Sequence, residues 1–227
     1  MSRKYPRTLH LPWSPGQGAE DKVADSVSSL IGRSIIISEK LDGSNTSLEK
    51  DGCFARTHSS APKHESFDAM KALHAGVKYQ LETGMQYFGE WCYAKHSIKY
   101  EELPSYFLLF GVRALDDFDN EEGRWVGPNC WASWDHLVEI ATSLSIPTVP
   151  VLWKGQVATA KELEVLTLEL AAGKSACGGV REGVVVRIAN SFDDSAFSEF
   201  VMKYVRKNHV QTTTHWKDQE IVRNGLK

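Results

Sequence analysis

The chain has 227 residues and a formal net charge of −3, with 42% of its residues hydrophobic and 24% charged. These values exclude a disordered or fibrous chain and point to one large domain over 1–227 with its own core, too short for two comfortable ones. No apolar run approaches the ~18 to 20 residues that span a bilayer, and MSRKYPRTLHLPWSPG at the N-terminus lacks the apolar stretch of a signal core, so no membrane role and a cytoplasmic location are expected.

Four cysteines, Cys53, Cys92, Cys130 and Cys177, are scattered without a C-x-x-C, which argues against a zinc ribbon, a redox motif or a disulfide framework and for reduced, structural thiols. The net charge is wrong for a protein that grips nucleic acid over a broad basic face. Its distribution is uneven, however: from 201 to 227, Lys203, Arg206, Lys207, Lys217, Arg223 and Lys227 face only Asp218 and Glu220, which gives +4 there and −7 elsewhere. That end reads either as a phosphate-binding tail or as a solvated face.

In chain order, the first 18 residues are rich in Pro, Gly and Ser and carry Trp13, the signature of an extended segment laid over a surface. EDKVADSVSSLIG (20–32) reads as a short amphipathic helix, and SIIISEK (34–40) as a buried strand, from its three consecutive isoleucines. TSLEKDGCFARTH (46–58) reads as a hairpin turning at Asp51-Gly52. Between 66 and 82, Phe67, Met70, Leu73, Val77 and Leu81 fall at helical spacing, with Ser66 as the cap. MQYFGEWCYA (85–94) and YFLLFGVRAL (106–115) read as strands. Residues 129–146 and 158–173 read as helices, the second capped near Thr159 and closed by Gly173. EGVVVRI (182–188) and EFVMKYV (199–205) complete the strands. Sheet and helix interleave irregularly, so the class is α+β.

Lys40 lies at the C-terminal end of its strand, before the turn-forming Asp42-Gly43. Lys-x-Asp-Gly alone is weak evidence, since at roughly 5 to 7% usage per residue it arises in about one chain in twenty of this length. Its company carries more: EKLDGSN (39–45), YFGEW (87–91), REGVVVR (181–187) and VMKYVRK (201–207) each place a charge at or within a strand, where apolar burial is the norm. For a lysine to act as a nucleophile at neutral pH, its ordinary pKa of ~10.4 must fall by about three units, which costs ~4 to 5 kcal/mol. Desolvation, neighbouring cations or a metal supply that. Lys203 with Arg206 or Lys207 offers the cations and Glu182 a carboxylate for a hard metal such as magnesium; the target that suits all three is a phosphorus atom of a nucleotide. Taken singly, Lys40 also fits a solvated strand-end charge, and Glu90 and Glu182 fit surface ion pairs.

In that order, EKLDGSN, FGEW, EGVVVR and MKYVRK resemble motifs I, III, IV and V of the covalent nucleotidyltransferase superfamily of polynucleotide ligases and capping enzymes. EKLDGSN with its trailing Asn, followed by FARTH, is most similar to the RNA ligase 2 branch of ATP-dependent RNA ligases. The resemblance implies a nucleotidyltransferase fold of packed antiparallel sheets with flanking helices. It implies ATP and Mg2+ or Mn2+ as cofactors, and as partner a nucleic acid, RNA, with 5'-phosphate and 3'-hydroxyl ends. It further implies Lys40 as the nucleophile that holds AMP and Glu39 at the adenine edge. Asn45 and Arg56 would act on phosphates and the nucleic-acid end, Glu90 on the ribose hydroxyls, Glu182 on the metal, Lys203 on the α-phosphate, and Phe110 would stack on the purine. Two positions depart from the pattern: Gly111 stands where an aspartate is usual after Phe110, and Arg206 or Lys207 must substitute for the second lysine of motif V. The short distance from motif V to Lys227 leaves no room for an OB domain, so a partner supplying a C-terminal domain is an expectation. A DNA ligase, or a non-catalytic binder of nicks and ends with the same fold, is the alternative.

Outside these stretches, His58 and His64 with Cys53 have no metal-site spacing and read as surface or hydrogen-bonding groups. His209 and His215 flank the segment after motif V. Trp131 and Trp134 read as core at helical spacing, whereas Trp13 and Trp216, in terminal segments, are candidates for touching a ligand or partner.

Overall fold

The structure, a computed structural model, describes residues 3–16, 21–56, 62–116, 128–207 and 220–227. His58, His209, His215 and Trp216 lie outside the described residues. Among the described residues eleven strands run β1 (Leu9–His10), β2 (Ile35–Lys40), β3 (Ser44–Glu49), β4 (Gly52–Ala55), β5 (Met85–Trp91), β6 (Phe107–Ala114), β7 (Cys130–Trp131), β8 (Val151–Gly155), β9 (Gly183–Ile188), β10 (Phe192–Asp193) and β11 (Val201–Val205). Among the described residues four helices, α1 (Asp68–Val77), α2 (Trp134–Ser143), α3 (Ala160–Ala172) and α4 (Phe197–Phe200), interrupt them.

The strands form two sheets, ordered β1-β11-β9-β2-β8 and β10-β7-β6-β5-β3-β4. Every pairing is antiparallel except β1 with β11. Successive side chains of a strand point to opposite faces, and the isoleucine run of β2 shows both faces buried. Ile35 and Ile37 join a cluster with Leu11, Val184, Val186, Met202 and Tyr204. Ile36 joins the other, with Leu48, Tyr87, Phe107 and Leu108. A strand buried on both sides is read as a continuous β-branched run, which is what the sequence shows.

The helices pack on the sheets, α3 against β9 and β11 and α2 against β6. At α2 the Ser133 side chain accepts from His136 N–H, and at α3 that of Thr159 accepts from Glu162 N–H; each cap is worth about 1 kcal/mol. Several local expectations are corrected. Residues 21–33 hold only a 3-10 turn at Ser28–Leu30, because the segment spends its backbone groups on β1: His10 N–H donates to Lys22 O and Ala24 N–H to His10 O, both at 2.8 Å. Ser66 does not cap α1; it is buried within a 3-10 turn capped by His64, whose ring accepts from Ser66 N–H. Trp131 lies in β7 rather than a helix, since Ala132 N–H donates to Val112 O and pulls this stretch onto β6, but it and Trp134 are core as expected. All four cysteines are buried and free. Among the described residues no helix is long and apolar enough to cross a membrane.

Candidate active site

The turn 41–43 carries the chain from β2 in one sheet to β3 in the other, so Lys40 sits where the two sheets meet. Asp42 fixes this turn. Its Oδ2 accepts from Ser97 N–H at 2.7 Å and Ile98 N–H at 2.8 Å, and its own N–H donates to Tyr100 Oη at 2.8 Å. Gly43 follows with no room for a side chain, since a Cβ there would lie 2.7 Å from Trp91 O and 3.0 Å from Glu90 Cγ. Its N–H donates to Glu90 Oε1 at 3.1 Å. The turn that presents Lys40 thereby also fixes Glu90, at the end of β5 opposite Asn45 of β3.

Lys40 pairs with Gly183 across β2 and β9, which sets Glu182, one residue earlier, beside it. Lys40 Nζ donates to Glu182 Oε2 at 2.8 Å, with the lysine side chain 25% exposed and the glutamate 5%. Burial pulls the Lys40 pKa down, but Glu182, Glu90 and Asp42 outweigh it and hold the ammonium well above the usual lysine range. The expected lowering is therefore reversed in the free protein, because Glu182 in contact and the fields of Glu90 and Asp42 act on the amine together. The same crowding acts on Glu90: burial first, then Glu182 and Asp42 against the opposing pull of Lys40, raise its pKa to about 8.

Lys203 lies two strands away, paired with Val185 of β9 and His10 of β1. Its ammonium is 3.3 Å from Asp21 Oδ1. Burial, and after it Lys40, lowers its pKa against the pull of Asp21. Arg206 follows β11 directly and its N–H donates to Glu182 O at 3.1 Å, knitting the end of motif V to the start of motif IV. Lys207 is exposed.

Glu39, 1% exposed, accepts from Ala176 N–H at 2.9 Å through Oε2, with Arg181 Nε at 3.5 Å. Its Oε1 and the Asn45 Oδ1 are buried with no hydrogen-bond partner among the described residues. An unsatisfied buried acceptor costs ~1 to 3 kcal/mol, so each marks a place for a donor from a ligand. Phe110 is the extra residue of a β-bulge: Gly89 opposes Leu109 and Phe88 opposes Gly111, leaving Phe110 unopposed. Bulges re-aim side chains near active sites, and this one sets the half-buried ring edge-on to Tyr5 at 5.2 Å. Arg56 follows β4 and is exposed.

Lys40, Glu182 and Glu90 thus act on one another, Lys203 lies on β11 next to β9 and two strands from Lys40, and Glu39, next to Lys40 along β2, points to the opposite face toward Ala176 and Arg181. Trp13 does not stand out toward a ligand; its indole N–H donates to Thr167 Oγ1 at 2.9 Å and it packs on the core. His64 serves the turn before α1. Asp42 makes the turn expected of it, whereas the structural roles of Arg181, His10 and Asp21 have no signal in the sequence pattern. Arg181 adjoins Glu182 in a quoted stretch, whereas His10 and Asp21 lie in segments without periodicity. Among the described residues no three His, Cys, Asp or Glu side chains form a ready-made metal cage. Magnesium commonly takes one or two carboxylates and fills its shell with water and substrate phosphates, so a lone acid such as Glu182 fits that donor chemistry.

A sequence profile of the RNA ligase family matches residues 33–205, which include the first three quoted motifs and the fourth as far as Val205. The chain belongs to the RNA ligase family. Its fold is that of the nucleotidyltransferase domain in solved RNA ligase structures. A glutamate-to-alanine mutant of the Naegleria gruberi RNA ligase, with ATP and Mn, aligns at TM-score 0.53 and 16% identity over 82% of this chain and 53% of the other. An apo aspartate-to-alanine mutant aligns at 0.53 and 17%, over 85% and 54%. The Naegleria enzyme with PPi aligns at 0.51 and 17%, again over 85% and 54%. The chain therefore spans about half the length of the solved structures that it matches. Among curated proteins none matches.

Proposed function

We propose that this member of the RNA ligase family is an ATP-dependent RNA ligase that works through a lysine–AMP intermediate. The observation that carries the reading is the Lys40 ammonium, bound to Glu182 at 2.8 Å and within the fields of Glu90 and Asp42, at the junction of two sheets. A structural surface lysine has no need of three carboxylates, and such a cluster of perturbed groups is a mark of a functional site. The solved relatives with ATP and Mn or with PPi support the choice of ligand.

In the free protein Lys40 is stored as a cation, which draws in a triphosphate but cannot attack. Attack requires Nζ to lose a proton, and Glu182 Oε2 is the acceptor in contact. The Nζ–Pα bond then forms and the Pα–O bond to the β-phosphate breaks, releasing pyrophosphate. Lys203 balances charge on the α-phosphate, and Glu39 Oε1 and Asn45 Oδ1 take donors from the nucleotide. When bound, a divalent cation held by Glu182 and phosphate oxygens would neutralise charge on the leaving pyrophosphate. In the second step a 5'-phosphate oxygen of RNA takes the AMP and frees Lys40. In the third a 3'-hydroxyl attacks that phosphate, AMP leaves and the strand is sealed.

The test is a sealing panel of nicked RNA, RNA–DNA hybrid and DNA duplexes with 5'-phosphate ends, run with ATP and again with pre-adenylated strands. Sealing of RNA ends that requires ATP, and that pre-adenylated strands make independent of it, is the expected result. Preferential sealing of DNA would replace the RNA reading.

A further inference from the structure

The N-terminal segment is bound to motif V more closely than a surface strap requires. His10 and Lys203 are partners across the parallel β1–β11 pair, Leu11 N–H donates to Lys203 O at 2.8 Å, and the chain returns at 22–24 to bond the other edge of β1. This return sets Asp21 against both side chains: Oδ1 is 3.3 Å from Lys203 Nζ and Oδ2 is 3.3 Å from His10 Nε2. His10 is 1% exposed. Its Nδ1 is 2.9 Å from Ser14 Oγ, which in turn accepts from Val205 N–H at 3.0 Å. Burial, then Lys203, lowers the His10 pKa to about 4, so its ring is neutral near pH 7. The Ser14 hydroxyl also reaches Val205 O at 3.4 Å, and His10 Nε2 is buried within 3.3 Å of the Asp21 carboxylate without the geometry of a hydrogen bond.

We infer that Asp21, steadied by His10, is a positioning residue that occupies Lys203 in place of a phosphate until nucleotide arrives. The inference rests on the assignment of Lys203 to the phosphate site made above. Lys203 is 20% exposed and Asp21 35%, so solvent reaches the pair and an incoming phosphate can displace the carboxylate without unfolding β1. The carboxylate has the acceptor geometry of a phosphate oxygen pair but less charge than a triphosphate, so exchange favours the triphosphate. The same carboxylate competes with any free phosphate anion for Lys203, so pyrophosphate added alone serves as a probe of that ammonium.

The experiment measures pyrophosphate binding to the full chain by calorimetry and the KM for ATP in lysine–AMP formation, for wild type, Asp21→Asn, Lys203→Met and the double variant. Asp21→Asn is expected to tighten pyrophosphate binding ~3- to 10-fold and to lower the KM for ATP by a similar factor, the scale of a partly exposed ion pair. In the Lys203→Met background the gain should vanish, because the coupling runs through that ammonium. An equal gain with and without Lys203 would reduce Asp21 to a generic negative charge and overturn the proposal, as would no change in pyrophosphate affinity. If wild type forms no lysine–AMP, the ligase reading fails, while the pyrophosphate measurement still decides the role of Asp21.

Discussion

Glu90→Gln isolates the electrostatic cost of the site. Glu90 Oε1 accepts from Gly43 N–H at 3.1 Å, a bond that an amide oxygen retains, so the substitution removes charge and keeps shape. The native pKa of about 8 exceeds the ordinary 4.5, so the native state binds one more proton than the unfolded chain between those values. Stability from this group is complete below pH 4.5 and is lost as pH rises to about 8, at ~1.4 kcal/mol per pH unit and roughly 5 kcal/mol at most. Urea unfolding of the free protein at pH 5, 6.5, 8 and 9 reads this directly. The stability of Glu90→Gln relative to wild type should climb steadily from pH 5 to 8 and then level off. A difference constant with pH would refute the carboxylate crowding around Lys40.

Glu182→Gln should cut transfer of labelled AMP to the protein at least tenfold with the circular dichroism spectrum unchanged, and should shift amine modification of Lys40 to lower pH as its strongest partner loses its charge. Gly43→Ala puts a methyl 2.7 Å from Trp91 O, for a loss of ~1 to 3 kcal/mol in thermal unfolding and a larger proportional loss of adenylylation than of stability. Asn224, 3% exposed, accepts from Tyr100 N–H at 2.9 Å and donates to Cys92 O at 2.8 Å. Asn224→Ala leaves both backbone groups buried and unpaired, and should cost ~2 to 4 kcal/mol in denaturant unfolding.

The strands that hold the chemistry were legible because long pairings leave long patterns. The isoleucines of β2, the valines of β9 and the aromatics of β5 and β6 announce burial, and the charges that break those runs, Lys40, Glu90, Glu182 and Lys203, fall where the structure brings them together. What escaped notice is short or depends on distant partners. The two-residue β1, β7 and β10 have no period to read, and each exists through pairing with a strand far along the chain. The helix expected over 20–32 had acceptable spacing, but its backbone groups found partners on β1. The pKa of Lys40 moved opposite to expectation because the sequence shows that carboxylates exist, not that three of them act on one amine. The basic C-terminal end proved partly structural: Arg223 lies 5.0 Å from the Tyr93 ring centroid and Asn224 is core.

Lysine–AMP formation at Lys40 is the central claim. Intact-mass and peptide mapping of the full chain after incubation with ATP and Mn2+ should find one AMP, on the peptide that contains Lys40, and none on Lys40→Ala. A folded wild-type protein that carries no adduct, or carries it on another lysine, would contradict the account.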